Sequence, residues 1–166
     1  MRWVVGGAAI VALMTAYLIW LAARVDRLHL RAAAAARALD AHLLRRAAAA
    51  AVLAEERNAT ELYAAARAAL DAGAEEREAA ENDLTRQLRS VDLTGDPAAE
   101  AVIAASRRLA LARQVHTDLV RDALALRNRP LVRLFRLARR HEPPRYFDVD
   151  DPTLITDAAD PNLRVG

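Results

Sequence analysis

Apolar and polar positions divide the chain into three stretches of different character. From Trp3 to Ala23 it reads WVVGGAAIVALMTAYLIWLAA, without a single charge. Such a run, at about 1.5 Å per helical residue, covers about 31 Å, the thickness of a bilayer's hydrocarbon core. Beyond it the pattern turns amphipathic. Leu28, Ala32, Ala35, Leu39 and Leu43 recur at steps of three and four and make one apolar stripe, opposite Arg27, Arg31, Arg37 and Arg45. Ala50, Leu53, Leu62, Ala66 and Leu70 continue the stripe with a slip near Arg57-Asn58. No Pro or Gly intervenes before Gly73, so the pattern predicts a stalk-like helix running from the anchor to about residue 72, kinked near residue 58. Gly73 and the acidic Glu75-Glu76 that follows predict a helix stop and a new first turn.

A shorter helix is expected from about residue 75 to 91, with Ala80, Leu84, Leu88 and Val91 on one face. Asp92-Leu93-Thr94-Gly95-Asp96-Pro97 is the clearest break, in which Asp96 can cap a helix whose first residue is Pro97. The helix from about 97 to 127 carries the most regular repeat: Val102, Ala105, Leu109, Ala112, His116, Leu119, Ala123 and Leu126, as in a coiled-coil seam. Ile103, Leu111, Val115 and Leu124 widen the stripe and predict packing against two neighbours. Asn128-Arg129-Pro130 ends this helix. Leu131, Leu134, Phe135 and Ala138 then suggest one or two amphipathic turns, with Arg133, Arg136, Arg139 and Arg140 on the polar side. From His141 the chain is rich in Pro and Asp and reads as an extended tail, in which Tyr146-Phe147 invites docking onto the helices. The expected fold class is all-α: a transmembrane helix (1–23) continuing into an antiparallel three-helix bundle (24–140), followed by an extended acidic tail (141–166).

The flanks of the first stretch favour an anchor over a cleaved signal peptide. Trp3 at one end, and Tyr17 with Trp20 near the other, suit the aromatic belts of the two interfaces. A signal peptide would have a shorter apolar region of about 7 to 15 residues and a small-x-small cleavage site, which Trp20-Leu21-Ala22-Ala23-Arg24 does not offer. Arg2 stands on one side of the run, and Arg24, Arg27, Arg31 and Arg37 stand on the other. The positive-inside tendency therefore predicts a short N-terminus outside and a cytoplasmic helical region.

Composition narrows the chemistry. Much of the 54% apolar content is alanine, which favours helices but adds little area on burial. No cysteine is present, so disulfides and thiolate metal sites are excluded. The net charge of +2, with arginines interspersed among acids, does not point to nucleic acid. No phosphate-cradling glycine loop, HExxH or GxSxG occurs, and none of the histidines at 29, 42, 116 and 141 pairs with another His or a Glu at helical metal-site spacing. His116 on the apolar seam reads as a satisfied core histidine ahead of a ligand or catalytic base. Glu55-Glu56 and Glu75-Glu76 among arginines read as solvated helix faces. No catalytic, cofactor-binding or metal-binding residue is predicted, and the chain is expected not to be an enzyme. The cluster Arg133, Arg136, Arg139 and Arg140, with Phe135 and the aromatic Tyr146-Phe147, is the candidate membrane-surface or partner-binding site. Contact with anionic lipid and pairing with the acidic tail are both open readings of the same charges.

These features together resemble the LemA family of bacterial membrane proteins. The most specific stretch is Ala112-Arg113-Gln114-Val115-His116-Thr117-Asp118-Leu119-Val120-Arg121-Asp122, similar to that family's AR-x-x-Tyr-Asn-x-x-Val-Arg helix. Asn128, Pro130, Leu134 and Phe135, then Tyr146-Phe147-Asp148, are similar to its closing elements. His116-Thr117 stands where the family has Tyr-Asn, and alanines between Arg46 and Val52 replace its Ile-Pro-Asn-Leu-Val segment. The resemblance implies an antiparallel helical bundle on one membrane anchor and no defined activity. The function expected is that of a membrane-anchored interaction or scaffold module. Its partners would be the lipid bilayer and a protein, self-association included, with no nucleic acid and no small-molecule substrate. Two alternatives stand beside it: a coiled-coil stalk or stator subunit, and an enzyme or metal-binding protein centred on His116.

Overall fold

The computed structural model describes residues 1–139, 142–147, 152 and 154. The described residues form five helices and no strand: α1 (Arg2–Glu56), α2 (Thr60–Asp71), α3 (Arg77–Ser90), α4 (Pro97–Arg127) and α5 (Pro130–Leu134). The first correction to the sequence pattern lies between α1 and α2. The helix does not run to residue 72; it stops at Glu56, and Asn58 takes a left-handed backbone with φ 53°. Asn tolerates that conformation better than most side chains, so the slip in periodicity at Arg57-Asn58 is a break and not a kink. At the end of α2, Ala72 is extended and Gly73 is not left-handed, so the stop comes from extended backbone without a glycine cap.

The α3–α4 connection follows the sequence closely. Gly95 has φ +88°, which a side chain would resist. Asp96 Oδ1 accepts the backbone N–H of Ala99 at 2.6 Å, and Pro97 opens α4 at the position where its missing N–H costs nothing. This cap holds the Asp96 carboxyl below the usual carboxylate range, with Arg57 contributing to the same end. The Arg57 guanidinium reaches across from the α1–α2 break. It donates to the Asp92 and Thr94 carbonyls and, through Nε at 3.1 Å, to the Asp96 carboxylate. One arginine thereby fastens the loop between α3 and α4.

The chain groups into two units, Met1–Ala36 with His116–Tyr146, and Arg37–Val115 with Phe147–Gly166. In the second, the core comprises Ala47, Ala50, Leu53 and Ala54 of α1, Leu62, Ala65, Ala66 and Ala69 of α2, Leu84 and Leu88 of α3, and Ala98, Ala99 and Val102 of α4. Alanine dominates this set, so the helices approach on small side chains and bury little area per residue. Leu93 and Leu154 pack against its edge. A neighbouring cluster of Leu39, Leu43 and Leu109 receives Ala112 and Phe147. In the first unit, Leu21, Val25, Leu126, Val132 and Ala138 form a separate core flanked by Leu28, Leu131 and Leu137.

The seam on α4 also shifts. Val102, Leu109, His116, Ala123 and Leu126 are buried as the repeat predicts, but Ser106 and Val120 are buried where Ala105 and Leu119 were expected. Leu111 and Val115 are 65% and 56% exposed, so the widened stripe does not find a second neighbour at those positions.

Candidate functional site

The chemistry of this chain is carried by arginine, which is found in two opposite settings. The first is inside the second unit and was not singled out by the sequence pattern. Arg46, at 0% exposure, extends its guanidinium to three polar side chains: Nε donates to Ser106 Oγ at 3.2 Å, Nη1 to Glu81 Oε2 at 3.2 Å, and Nη2 to Thr85 Oγ1 at 2.9 Å. Thr85 in turn donates its hydroxyl to the Glu81 backbone carbonyl at 2.8 Å. Glu81 is equally buried, and its Oε1 has no hydrogen-bond partner among the described residues. Burial pushes the Glu81 carboxyl up to about 7 even though Arg46 draws it down, and burial lowers Arg46 against the pull of Glu81. Sealed from solvent and joining α1, α3 and α4, this group is built to hold three helices in register. It offers no surface to a substrate.

The second setting lies in the first unit and includes most of the residues expected from sequence. Pro130 starts α5 at its first position; the turns that follow bury Val132 and Ala138 and leave Arg133, Leu134, Phe135, Arg136 and Arg139 exposed. Arg136 is left-handed with φ 51°, and the Arg127 guanidinium donates from Nη1 to the Ala138 carbonyl at 3.2 Å, closing the turn. The result is an open cleft of about 440 Å³ lined by Arg127, Val132, Arg133, Arg136, Ala138 and Arg139. No carboxylate is among its lining residues. Arg127 was absent from the expected cluster; its place in the last turn of α4, three residues before Pro130, is the only hint in the sequence. Arg140 lies outside the described residues. Tyr146 is exposed, whereas Phe147 belongs to the other unit, against Leu39, Leu43 and Leu109.

The uncharged stretch of α1 is the third notable surface. From residue 1 to 20 every side chain is exposed except the half-buried Leu18, and α1 is the one helix among the described residues long and apolar enough to cross a membrane. Tyr17 and Trp20 stack with centroids 6.0 Å apart, and the Arg24 guanidinium lies 5.5 Å over the Trp20 ring. Ala23, the expected far end of the span, is half-buried, because protein packing already begins at Leu21. His116 is 5% exposed on α4, and no group of three or more His, Asp or Glu that could hold a metal occurs among the described residues. Compared with known protein families, curated proteins and solved structures, the chain matches none.

Proposed function

We propose that this chain is a single-pass protein of a bacterial plasma membrane whose helical region acts as an interaction or scaffold module without catalytic activity. The observation that carries the reading is the uncovered apolar surface of α1. Trp3, Val4, Val5, Ile10, Val11, Leu13, Met14 and Ile19 are each more than half exposed, over nearly the full run that precedes Leu21. A surface of that extent is unstable in water and is at home in hydrocarbon. The one hydroxyl within it, on Thr15, donates to the Val11 carbonyl at 2.9 Å and so needs no water. The charge asymmetry, Arg2 against Arg24, Arg27, Arg31 and Arg37, supports a cytoplasmic helical region.

In this reading the helices correspond to an antiparallel three-helix bundle of LemA-like type, with α1 and α2 as its first arm, α3 as its second and α4 as its third. The LemA resemblance rests on the residues around His116 and on the closing Asn128, Pro130, Phe135 and Tyr146-Phe147 elements. A stalk or stator subunit would need one uninterrupted helix, and the break at Asn58 gives that alternative no support. An enzyme centred on His116 draws none from a side chain sealed within the α4 seam.

Alkaline carbonate extraction of membranes from cells producing the full chain provides the test. The protein should stay in the pellet, and a variant carrying Leu13→Arg and Val11→Glu should move to the supernatant. Release of the unaltered chain by carbonate would end the anchored reading. A C-terminal reporter active only in the cytoplasm should give signal; silence would reverse the sidedness. Crosslinking in intact membranes should capture a protein partner or a second copy of the chain.

A further inference from the structure

We infer that the cleft of Arg127, Arg133, Arg136 and Arg139 binds the phosphate of an anionic phospholipid in the leaflet where α1 leaves the membrane. This rests on the anchored reading above and adds to it a defined headgroup site. Position is the first support. Val132 and Ala138, the apolar floor of the cleft, are buried with Leu21 and Val25 of α1. Leu21 directly follows Trp20, the aromatic residue stacked on Tyr17 and covered by Arg24. One helical turn rises about 5.4 Å, so along α1 the residues that fasten the cleft begin within about a turn of the aromatic belt. Packing thus returns a segment remote in sequence to the depth of lipid headgroups.

Composition is the second support. Four arginines and two apolar residues line an opening of about 440 Å³, with no acid among them. Guanidinium groups present paired donors that match phosphate oxygens, and an anion among them relieves their mutual repulsion. Beside them Leu134 is 72% and Phe135 47% exposed. Exposed apolar side chains next to a basic cluster are the arrangement of a segment lying at a membrane interface, where the apolar groups enter the acyl region and the cations stay with the headgroups. Shape is the third support. The left-handed backbone at Arg136 and the Arg127 to Ala138 clasp fix the curve of the turn, so the arginines are displayed by a formed site and not by a loose tail.

The test uses the full chain reconstituted in vesicles of equimolar phosphatidylglycerol and phosphatidylcholine, then extracted in mild detergent and examined by native mass spectrometry for retained lipid. Phosphatidylglycerol should be retained in preference to phosphatidylcholine. The variant Arg133→Gln, Arg136→Asn, Arg139→Gln should lower that retention by about tenfold or more, since each basic residue near an anionic surface contributes appreciably to binding. Asn at 136 accepts the left-handed backbone, and Arg127 is left in place because it clasps Ala138. A charge-matched variant, Arg27→Gln, Arg31→Gln, Arg37→Gln, should retain phosphatidylglycerol within about twofold of the unaltered chain. Equal retention of both lipids, or equal loss in the two variants, would overturn the site. Displacement of the lipid by millimolar inorganic phosphate would also overturn it, since the cleft would then be a free-anion site. Carbonate release of the unaltered chain would remove the anchored reading and this one together, whereas an integral protein with no lipid preference overturns the site alone.

Discussion

Arg46 and the arginines of the α5 turn are chemically identical and physically opposed. Arg46 has lost all contact with water and recovers the cost through three side-chain acceptors on α3 and α4. Arg133, Arg136 and Arg139 stand in solvent around a cleft with no acid in its lining. Arg57 lies between these extremes, half-buried, spending its donors on the carbonyls and the cap of one loop. Environment, not residue type, decides what each does. A buried guanidinium locks helices to one another because any shift in register strands a charge, whereas Arg133, Arg136 and Arg139 face solvent around a cleft whose lining holds no acid.

The contrast can be broken most forcefully at Arg46. Arg46→Ala leaves the Glu81 carboxyl buried without its partner and should cost about 3 to 5 kcal/mol in thermal or denaturant unfolding of the detergent-solubilised protein. Adding Glu81→Leu to Arg46→Met should restore stability to within a kcal/mol of the unaltered chain or raise it by a few, since Thr85 keeps its bond to the residue-81 carbonyl. A double variant as weak as the single one would show that the pair is not the source of the loss.

The pH dependence of stability comes next in size. Glu81 has a folded pKa of about 7 against an ordinary 4.5, so the folded state holds this proton more tightly than the unfolded chain does. The contribution is complete below about pH 4.5 and is lost as pH rises through 7, a decline of about 3 kcal/mol. Arg46 and Arg77 both favour the charged form, but burial outweighs them. Glu81→Gln should flatten the profile between pH 4.5 and 7.5; an unchanged slope would place its origin in another group.

A smaller effect is expected at the loop that Arg57 fastens. Gly95→Ala forces a side chain onto φ +88° in otherwise open space, so the cost of about 1 kcal/mol is purely conformational. Smallest of all, Arg133→Gln or Arg139→Gln should change folding stability by no more than about 0.5 kcal/mol in neutral detergent, as exposed side chains do. A large loss there would mean that the exposed arginines carry structure and would erase the distinction from Arg46.

Much of this architecture was legible in the amino-acid sequence. Pro97–Arg127 emerges with the bounds its caps predict, because Gly95, Asp96 and Pro97 act locally and need no tertiary partner. The break at Asn58 was visible only as a phase slip; whether a slip becomes a kink or a stop depends on what the following turn can pack against, here the alanine face of α2. The Arg46 network was missed for a clearer reason. Leu43, Arg46, Ala50 and Leu53 continue one stripe; Glu81 precedes Leu84 and Leu88 on another; Ser106 sits between Val102 and Leu109 on a third. Each polar residue on its own reads as an interruption of an apolar seam. Three interruptions on three helices become a network only when the fold brings them to one level, and pairing across that distance leaves no local trace. The basic cluster after Pro130 was recognisable from its charges, but Arg127 joined it only through the backward turn at Arg136.

The packing of Leu21 and Val25 against Val132 and Ala138 has a consequence for how the protein is made. A nascent chain exposes Leu21 to solvent or lipid as soon as it leaves the ribosome, yet the residues that cover it are synthesised on the order of a hundred positions later. At about 5 to 20 residues per second the delay is roughly 6 to 20 s. If α1 is anchored as proposed, the boundary between membrane-embedded and water-facing helix is undefined for that interval, and Leu21 and Val25 are free to slide into the bilayer. In that reading, completion of α5 withdraws them, so a helix made late sets the final depth of the first.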